Sequence, residues 1–255
     1  MPPPNLFWQI SWVDQTSSAL VDSAPGHQET PKLPTGSFSI WADRLQLLAR
    51  MNRLNKYSIY MKSFLHVGCG PLNKTVLRGF NSDGWKEIRF DIDENVNPDI
   101  QGTLTDMSLV DSSSVDAIFS SHNIEHIFAH EVPIALKEFN RVLKDDGIVV
   151  ITCPDLQRVC DAVAKNKLLE PLYVTPTGPI SPIDILYGHR GLIANGNVYM
   201  AHKCGFTYQT LVDCFYEAGF KGNYGGPVAF ELWLIASKSE KSVEELQNLA
   251  LEFLP

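Results

Sequence analysis

Short apolar runs alternate with amphipathic stretches through the middle of this chain. Four of the runs have the length and the flanking turn residues of buried strands: residues 64–67, 88–93, 116–121 and 148–153. The clearest helical pattern, residues 131–144, lies between the last two and repeats its apolar positions every three or four residues. Strands and helices in alternation predict right-handed crossovers and a mostly parallel, doubly wound α/β sheet of the Rossmann-like type.

The pattern changes on either side of this region. Residues 1–38 are rich in proline, serine, threonine and glycine, which predicts a loosely ordered arm, and residues 39–60 predict a helical cap with a positive bias. We expect the main domain to cover residues 61–255. Within it, residues 155–204 open with a helix and continue as a long irregular stretch with several prolines, which indicates a lid or a substrate-binding insertion.

Shorter elements complete the prediction. Between the first two strands only residues 73–80 can be helical, so the first crossover helix must be short. A helix over 207–218 and a strand over 228–236 follow the insertion, and a capping box at Ser242 opens a last helix. No internal repeat is visible.

A glycine turn and an acid stand at the ends of the first two predicted strands. Gly68 and Gly70 let the backbone turn tightly and approach a ligand closely, and Asp91 follows 21 positions after Gly70. Open α/β sheets hold a nucleoside with this combination, because the acid can bind the ribose hydroxyls. Asn73 replaces the third glycine of the dinucleotide fingerprint, and Pro71 follows the second glycine. A cofactor with one nucleoside and no pyrophosphate fits these residues better.

Composition restricts the partners. The 255-residue chain is 44% hydrophobic and has a net charge of −8, which favours small-molecule partners and disfavours non-specific binding of nucleic acid. Its five cysteines form no C-x-x-C motif, so neither a disulfide framework nor a structural zinc site is indicated. No apolar run is long enough to span a bilayer, and we expect a soluble, cytoplasmic protein. The sequence does not indicate an oligomeric state.

With these pieces in order, the chain resembles the class I S-adenosylmethionine-dependent methyltransferases. Within that class it is similar to the type 11 group, and there to the predicted methyltransferases found among polysaccharide-synthesis genes. The resemblance covers roughly residues 62–238. It rests on four segments in the family's order: LHVGCG, IRFDID, LTDMSLVDSSSVDAIFSSHNIEHI and EFNRVLKDDGIVVITCPD.

The resemblance implies S-adenosyl-L-methionine as the cofactor and supplies the first candidates for its site. Gly68 and Gly70, with Cys69 between them, would lie under the methionine part of the cofactor. Asp91 would bind the ribose hydroxyls, with Asp93 as the second choice, and Ile92 would lie beside Asp91.

The same resemblance assigns further residues on the adenine and methyl sides. Asp106, with the Met107 backbone beside it, would meet the adenine, and Ser121 and His122 would line the place from which the methyl group leaves. His66 is a departure, because the family usually has an acid at this position of its first motif. One contact toward the cofactor's amino group would then be replaced.

Methyl transfer to an oxygen or nitrogen requires a group that removes a proton near neutral pH, and imidazoles suit this role. His122, after the fourth strand, and His202, in the insertion, are therefore the candidate catalytic residues. Tyr187, His189 and Arg190 would join His202 in a polar, cationic wall for a small or sugar-like acceptor.

Two other interpretations remain open. His122, Glu125 and His126 also spell H-x-x-E-H, a zinc-peptidase signature, but that motif belongs inside a long helix and here it follows a buried strand. We therefore expect no metal ligands. A non-catalytic binding or interaction module on the same fold is the second alternative, and the altered motif at His66 favours it.

Overall fold

The computed structural model describes residues 61–176 and 178–255. The predicted arm over 1–38 and the predicted cap over 39–60 lie outside these residues. The domain expected from residue 61 onward belongs to one unit of the chain.

Nine strands and six α-helices, which we number in chain order, make up the described region. The strands are β1 (Lys62–Val67), β2 (Trp85–Asp91), β3 (Ile100–Gln101), β4 (Val115–Ser121), β5 (Leu143–Pro154), β6 (Tyr173–Thr175), β7 (Gly178–Ile180), β8 (Gly222–Val228) and β9 (Glu231–Ser237). The helices are α1 (Val132–Val142), α2 (Leu156–Ala164), α3 (Pro182–Tyr187), α4 (Arg190–Ala194), α5 (Tyr208–Glu217) and α6 (Val243–Phe253).

Seven of the strands form one sheet in the order β3-β2-β1-β4-β5-β9-β8, and β6 and β7 form a separate hairpin. The strands from β3 to β5 pair in parallel, and β9 and β8 join antiparallel. The predicted doubly wound α/β class is therefore confirmed. The strand order reverses between β1 and β4, and ligands of open α/β sheets bind beside such a reversal at the carboxyl ends of the strands.

The two faces of the sheet carry separate cores because side chains alternate along each strand. Leu65 and Val67 face a cluster that includes Phe139 of α1 and Phe215 of α5. Phe64 faces the other cluster, which is rich in aromatic residues: Phe80, Trp85, Phe119 and Phe253. Burial of each such ring contributes about 1.5–3 kcal/mol to the free energy of folding. Both clusters therefore help to fix the positions of the strands.

Most elements lie close to their predicted positions, and three regions differ from the prediction. The crossover from β1 to β2 contains only a 3₁₀ turn, Lys74–Val76, which Asn73 caps. The part of the 155–204 insertion that follows its opening helix was predicted to be irregular, but it contains the β6–β7 hairpin and the short helices α3 and α4. Strand β8 was not predicted, because its residues, GNYGGPV, have weak strand propensity. Pairing with β9 along its whole length orders it.

Within the described part of the chain, no helix is both long and apolar enough to cross a membrane.

Candidate active site at the carboxyl ends of the strands

The glycine turn after β1 is joined directly to the acid that ends β2. Gly68 and Gly70 have φ values of +66° and +52°, in the left-handed region that favours glycine. The Gly70 N–H donates to Asp91 Oδ2 at 2.8 Å, and the Asp93 N–H donates to Asp91 Oδ1 at 2.9 Å. A carboxylate has about four acceptor positions, so each oxygen of Asp91 can still accept from a ribose hydroxyl. These residues therefore fit the nucleoside part of the implied cofactor.

Arg89, to which the sequence assigned no role, holds this turn from β2. Its guanidinium donates to the carbonyl oxygens of Leu72 at 3.2 Å, Val96 at 3.0 Å and Asn97 at 2.6 Å, and also to that of Gly70. A guanidinium has five N–H donors in a fixed plane, which lets one side chain bind several carbonyls. Arg89 thus connects the glycine turn to the loop that follows β2.

Gly68 is also a point of close approach between two protein segments. A Cβ atom at this position would lie 2.5 Å from Asn123 Cγ and 2.6 Å from Asn123 Nδ2. The Asn123 side chain therefore covers the face of Gly68, a part of the crevice that the sequence interpretation left for the cofactor. Asn123 is the second residue after β4, and only the tertiary structure shows its contact.

The loop predicted to meet the adenine differs partly from expectation. Met107 is fully buried and its N–H donates to Glu138 Oε2 at 3.0 Å, so this backbone group is already occupied. Asp106 stays exposed. Hydrogen bonds from the Ser108 side chain and from the Ser108 N–H lower the pKa of its carboxylate. Ile92 is 42% exposed beside Asp91 and offers an apolar surface.

Two predicted cofactor residues lie in the protein interior. The His66 ring is buried among aromatic side chains, and its Nδ1 bonds Glu87 Oε1 at 2.7 Å. Glu87 also accepts the Lys74 N–H, so the ring belongs to the packing between β1 and the 3₁₀ turn. Cys69 is buried as well, and burial raises the pKa of its thiol to about 12, against the effect of Arg89. The neutral thiol is not a nucleophile at physiological pH.

A small cavity opens beside the carboxyl ends of β4 and β5. Its lining combines three imidazoles with apolar and aromatic side chains: His122, His126, Pro154, Tyr173, Ile185, His202 and Phe230. Its volume is about 10 Å³, at the lower limit for holding one water molecule. The body of any larger ligand must therefore remain at the mouth.

His122 joins this cavity to the glycine turn. It follows Ser121, the last residue of β4, and its φ of +48° bends the chain, so that His122 lines the cavity while the next residue, Asn123, covers Gly68. His122 Nε2 lies 3.1 Å from Glu231 Oε1, and Nδ1 lies 3.4 Å from Glu125 Oε1. Burial disfavours the imidazolium, but the two carboxylates outweigh it and raise the pKa of His122 to about 10. A protonated His122 donates hydrogen bonds and is a poor base.

His126 and His202, which also line the cavity, are held by backbone carbonyls. His126 Nδ1 lies 3.2 Å from the Ala201 oxygen, and His202 Nδ1 lies 2.7 Å from the Ile185 oxygen. The centroids of the two imidazole rings are 4.8 Å apart. Burial lowers the pKa of His202 against the effect of Glu125, so His202 is neutral near pH 7.

The other predicted substrate residues do not line the cavity. Tyr187 is 65% exposed at the end of α3. His189 caps α4 by accepting the Leu192 N–H through Nδ1. Arg190 binds Asp184, with Nε 2.6 Å from Oδ1, and so stabilises the turn between α3 and α4. Of the four residues predicted to bind the acceptor, the structure places His202 alone on the cavity wall.

One family model matches the middle of the chain. Residues 65–151 match the family model described as a methyltransferase domain, about one third of the chain. No curated protein matches the sequence.

The similar solved structures have low sequence identity. A SAM-dependent methyltransferase from Methanosarcina mazei is 15% identical with a TM-score of 0.48, covering 74% of this chain and 98% of its own. A SAM-dependent methyltransferase from Archaeoglobus fulgidus is 14% identical with a TM-score of 0.45, covering 80% of this chain and 100% of its own.

Proposed function

We propose that this chain, which carries a type 11 S-adenosylmethionine-dependent methyltransferase domain over residues 65–151, methylates a small hydroxylated acceptor such as a sugar. S-adenosylmethionine supplies an already activated methyl group. The protein must therefore mainly align the acceptor and remove the proton from its hydroxyl. The observation that carries the proposal is the pair of consecutive residues after β4. Asn123 lies on the glycine turn and His122 lines the cavity.

On the cofactor side, Asp91 would hold the ribose hydroxyls with the acceptor positions that Gly70 and Asp93 leave open. Ile92 would cover one face of the base and Asp106 would meet its edge. Asn123, which lies over Gly68, would contact the methionine part and is an addition to the residues expected from the sequence.

On the acceptor side, we assign His202 Nε2 as the atom that takes the proton of the acceptor's hydroxyl. The Ile185 carbonyl accepts from Nδ1, which fixes the proton of the neutral ring on that nitrogen and leaves Nε2 as the acceptor. His122 would orient the acceptor as a donor, since its raised pKa disfavours the role of base that the sequence suggested. The cavity admits one oxygen-sized group, so a hydroxyl would enter while the body of the acceptor lies at the mouth.

The test has a binding stage and a turnover stage. Calorimetry with S-adenosylmethionine and with S-adenosylhomocysteine should show one site per chain. Release of S-adenosylhomocysteine would then be measured with a panel of monosaccharides and sugar acids. We expect His202→Gln to reduce turnover by about 10²- to 10⁴-fold and to leave the affinity for S-adenosylhomocysteine unchanged. His130→Gln, a change at an exposed histidine, is the matched control.

A non-catalytic module is the alternative that one observation favours, because the Asn123 side chain occupies the face of Gly68. Absence of heat with both the methyl donor and its product would support the module and overturn the enzyme. Heat without turnover on any hydroxylated acceptor would instead overturn the acceptor class and keep the cofactor site.

A further inference from the structure

Three side chains from two distant segments converge beside the cavity. Glu125 and His126 belong to the 3₁₀ turn Ile124–His126 after β4, and His202 comes from the far end of the insertion. One ligand atom from each of the three lies within 4.8 Å of the other two. Around a tetrahedral ion with bonds of about 2.1 Å, neighbouring ligand atoms are about 3.4 Å apart. Side-chain movements of about 1 Å would therefore bring all three atoms onto one ion.

Backbone carbonyls fix the tautomer of both imidazoles. A carbonyl oxygen can only accept, so the bonds to the Ala201 and Ile185 oxygens place a proton on Nδ1 of His126 and of His202. Nε2 of each ring then carries the lone pair. Histidines that ligate metals are typically held in this way, with the other ring nitrogen donating to a carbonyl or carboxylate.

Glu125 supplies the anionic member of the set. Its side chain is 1% exposed, and within the described residues neither carboxylate oxygen makes a hydrogen bond. His122 Nδ1 lies 3.4 Å from Oε1, at an ion-pair distance. Glu231 differs, because it accepts from His122 Nε2 and from Trp233 Nε1 at 3.1 Å. A carboxylate has about four acceptor positions, so the ion pair with His122 leaves Glu125 able to bind a cation on the side of the two imidazoles as well.

We propose that Glu125, His126 and His202 bind one divalent transition-metal ion. Two imidazoles and one carboxylate suit Zn²⁺ and Fe²⁺, and three protein ligands leave a coordination position open. His126 and His202 line the cavity, so the open position would face the space that holds about one water molecule. An acceptor oxygen could bind there, and this second step rests on the proposed function. With the ion bound, the lone pair of His202 Nε2 is a metal ligand, so His202 can take the acceptor's proton only in the chain without metal.

The proposal differs from the zinc-peptidase signature in the sequence, which pairs His122 with His126. In the structure the motif lies on a strand end and a 3₁₀ turn, and His122 Nε2 points to Glu231. His202, outside the motif, takes the place of the first histidine. The proposal also replaces the expectation that the chain binds no metal.

The test is metal binding by the full chain without methyl donor or acceptor, so its outcome does not depend on the proposed function. Protein dialysed against a chelator would be titrated with Zn²⁺ by calorimetry, and its metal content measured after removal of free ion. We expect one ion per chain. We also expect Glu125→Gln and His202→Gln each to weaken binding by about 100-fold or more, and His130→Gln to leave it unchanged.

Co²⁺ provides a second readout that a merely structural role of Glu125 would not produce. An N/O site should give weak visible bands without the strong near-ultraviolet band of a thiolate ligand. Absence of that band would exclude Cys204, whose Sγ donates to the Ile124 carbonyl, next to Glu125, at 3.4 Å. Failure of the wild-type chain to bind Zn²⁺ or Co²⁺ would overturn the proposal. Stoichiometric binding that survives both the Glu125 and the His202 substitution would overturn it as well. If Glu125→Gln does not fold, His202→Gln alone decides.

Discussion

The backbone N–H of Gly70 donates to Asp91 Oδ2 at 2.8 Å, which ties the turn after β1 to the end of β2. The other oxygen of Asp91 accepts from Asp93 at 2.9 Å. The acid is therefore fixed before any ligand binds, and an isosteric amide cannot replace it, because its NH₂ group must face one of the two N–H donors.

Asp91→Asn should consequently weaken the binding of S-adenosylhomocysteine. Hydrogen bonds to charged groups contribute about 1.5–3 kcal/mol, which corresponds to a loss of affinity of about 10- to 100-fold. Calorimetric titration of the product measures this directly. The control is Asp93→Asn, because Asp93 mainly caps the next turn by accepting from Asn95 and lies outside the pair. An equal loss in both variants would argue against a specific role for Asp91.

Much of the fold could be predicted because the pattern was strong. β1, β4 and β5 are short apolar runs bounded by turn residues, and α1 repeats its apolar positions at helical spacing. β8 could not be predicted, since three glycines and a proline in seven residues have weak strand propensity and its order comes from β9. The insertion was predicted to be irregular because its strands and helices are too short to leave a periodic signal.

The site was predictable only as far as local sequence determines it. Gly70 and Asp91 meet as expected, since both stand at carboxyl ends of adjacent parallel strands. Glu231 pairs with His122 from a position 109 residues away, and no local pattern indicates such a contact. Arg190 was assigned to the substrate from its cationic character, yet a carboxylate six positions earlier binds it.

The contact between Gly68 and Asn123 predicts a non-additive pair of mutations. Gly68→Ala should destabilise the fold by about 2–3 kcal/mol, through the positive φ and through the clash with Asn123. Asn123→Ala removes the clashing atoms. Adding Gly68→Ala to Asn123→Ala should then cost only the backbone strain of about 1 kcal/mol. Urea unfolding of the four proteins measures the coupling.

Gly196 is the matched control for this cycle. Its φ is +95°, and no atom lies within 4 Å of a Cβ placed there. Gly196→Ala should therefore cost about 1 kcal/mol with or without Asn123. Strict additivity of Gly68→Ala and Asn123→Ala would contradict the close approach.

The guanidinium of Arg89 donates to several carbonyls at once, which predicts that lysine cannot replace arginine at this position. Lysine has a single ammonium group and cannot reach the carbonyls of Leu72, Val96 and Asn97 together. We expect Arg89→Lys to lower the free energy of unfolding by about 1–2 kcal/mol and to weaken binding of the methyl donor. Urea unfolding and calorimetry measure the two effects.

Arg78→Lys serves as the comparison, because Arg78 is exposed and, within residues 61–176 and 178–255, its side chain donates only to the Leu251 carbonyl. Its effect should stay within about 0.5 kcal/mol. Should Arg89→Lys behave in the same way, the guanidinium would not be what holds the turn.

The pair of Asp184 and Arg190 predicts a pH dependence of stability. Asp184 is buried and accepts from Ser181 Oγ at 2.7 Å and from Arg190 Nε at 2.6 Å. Burial works to raise the pKa of Asp184, but Arg190 and Ser181 outweigh it and hold this pKa well below its usual range. A pKa that is depressed in the folded state adds stability above the unfolded value of about 3.9, and this stability is lost as the pH falls.

Asp184→Asn should therefore reduce the free energy of unfolding by about 2–3 kcal/mol at pH 7. The difference from wild type should keep this size down to about pH 5 and shrink as the pH falls through about 4. Urea unfolding of both proteins at several pH values measures the trend. Asp161→Asn is the control, because its bridge to Lys165 is exposed on both sides and should contribute at most about 0.5 kcal/mol. A difference for Asp184→Asn that is independent of pH would show that its carboxylate is not held ionised by Arg190.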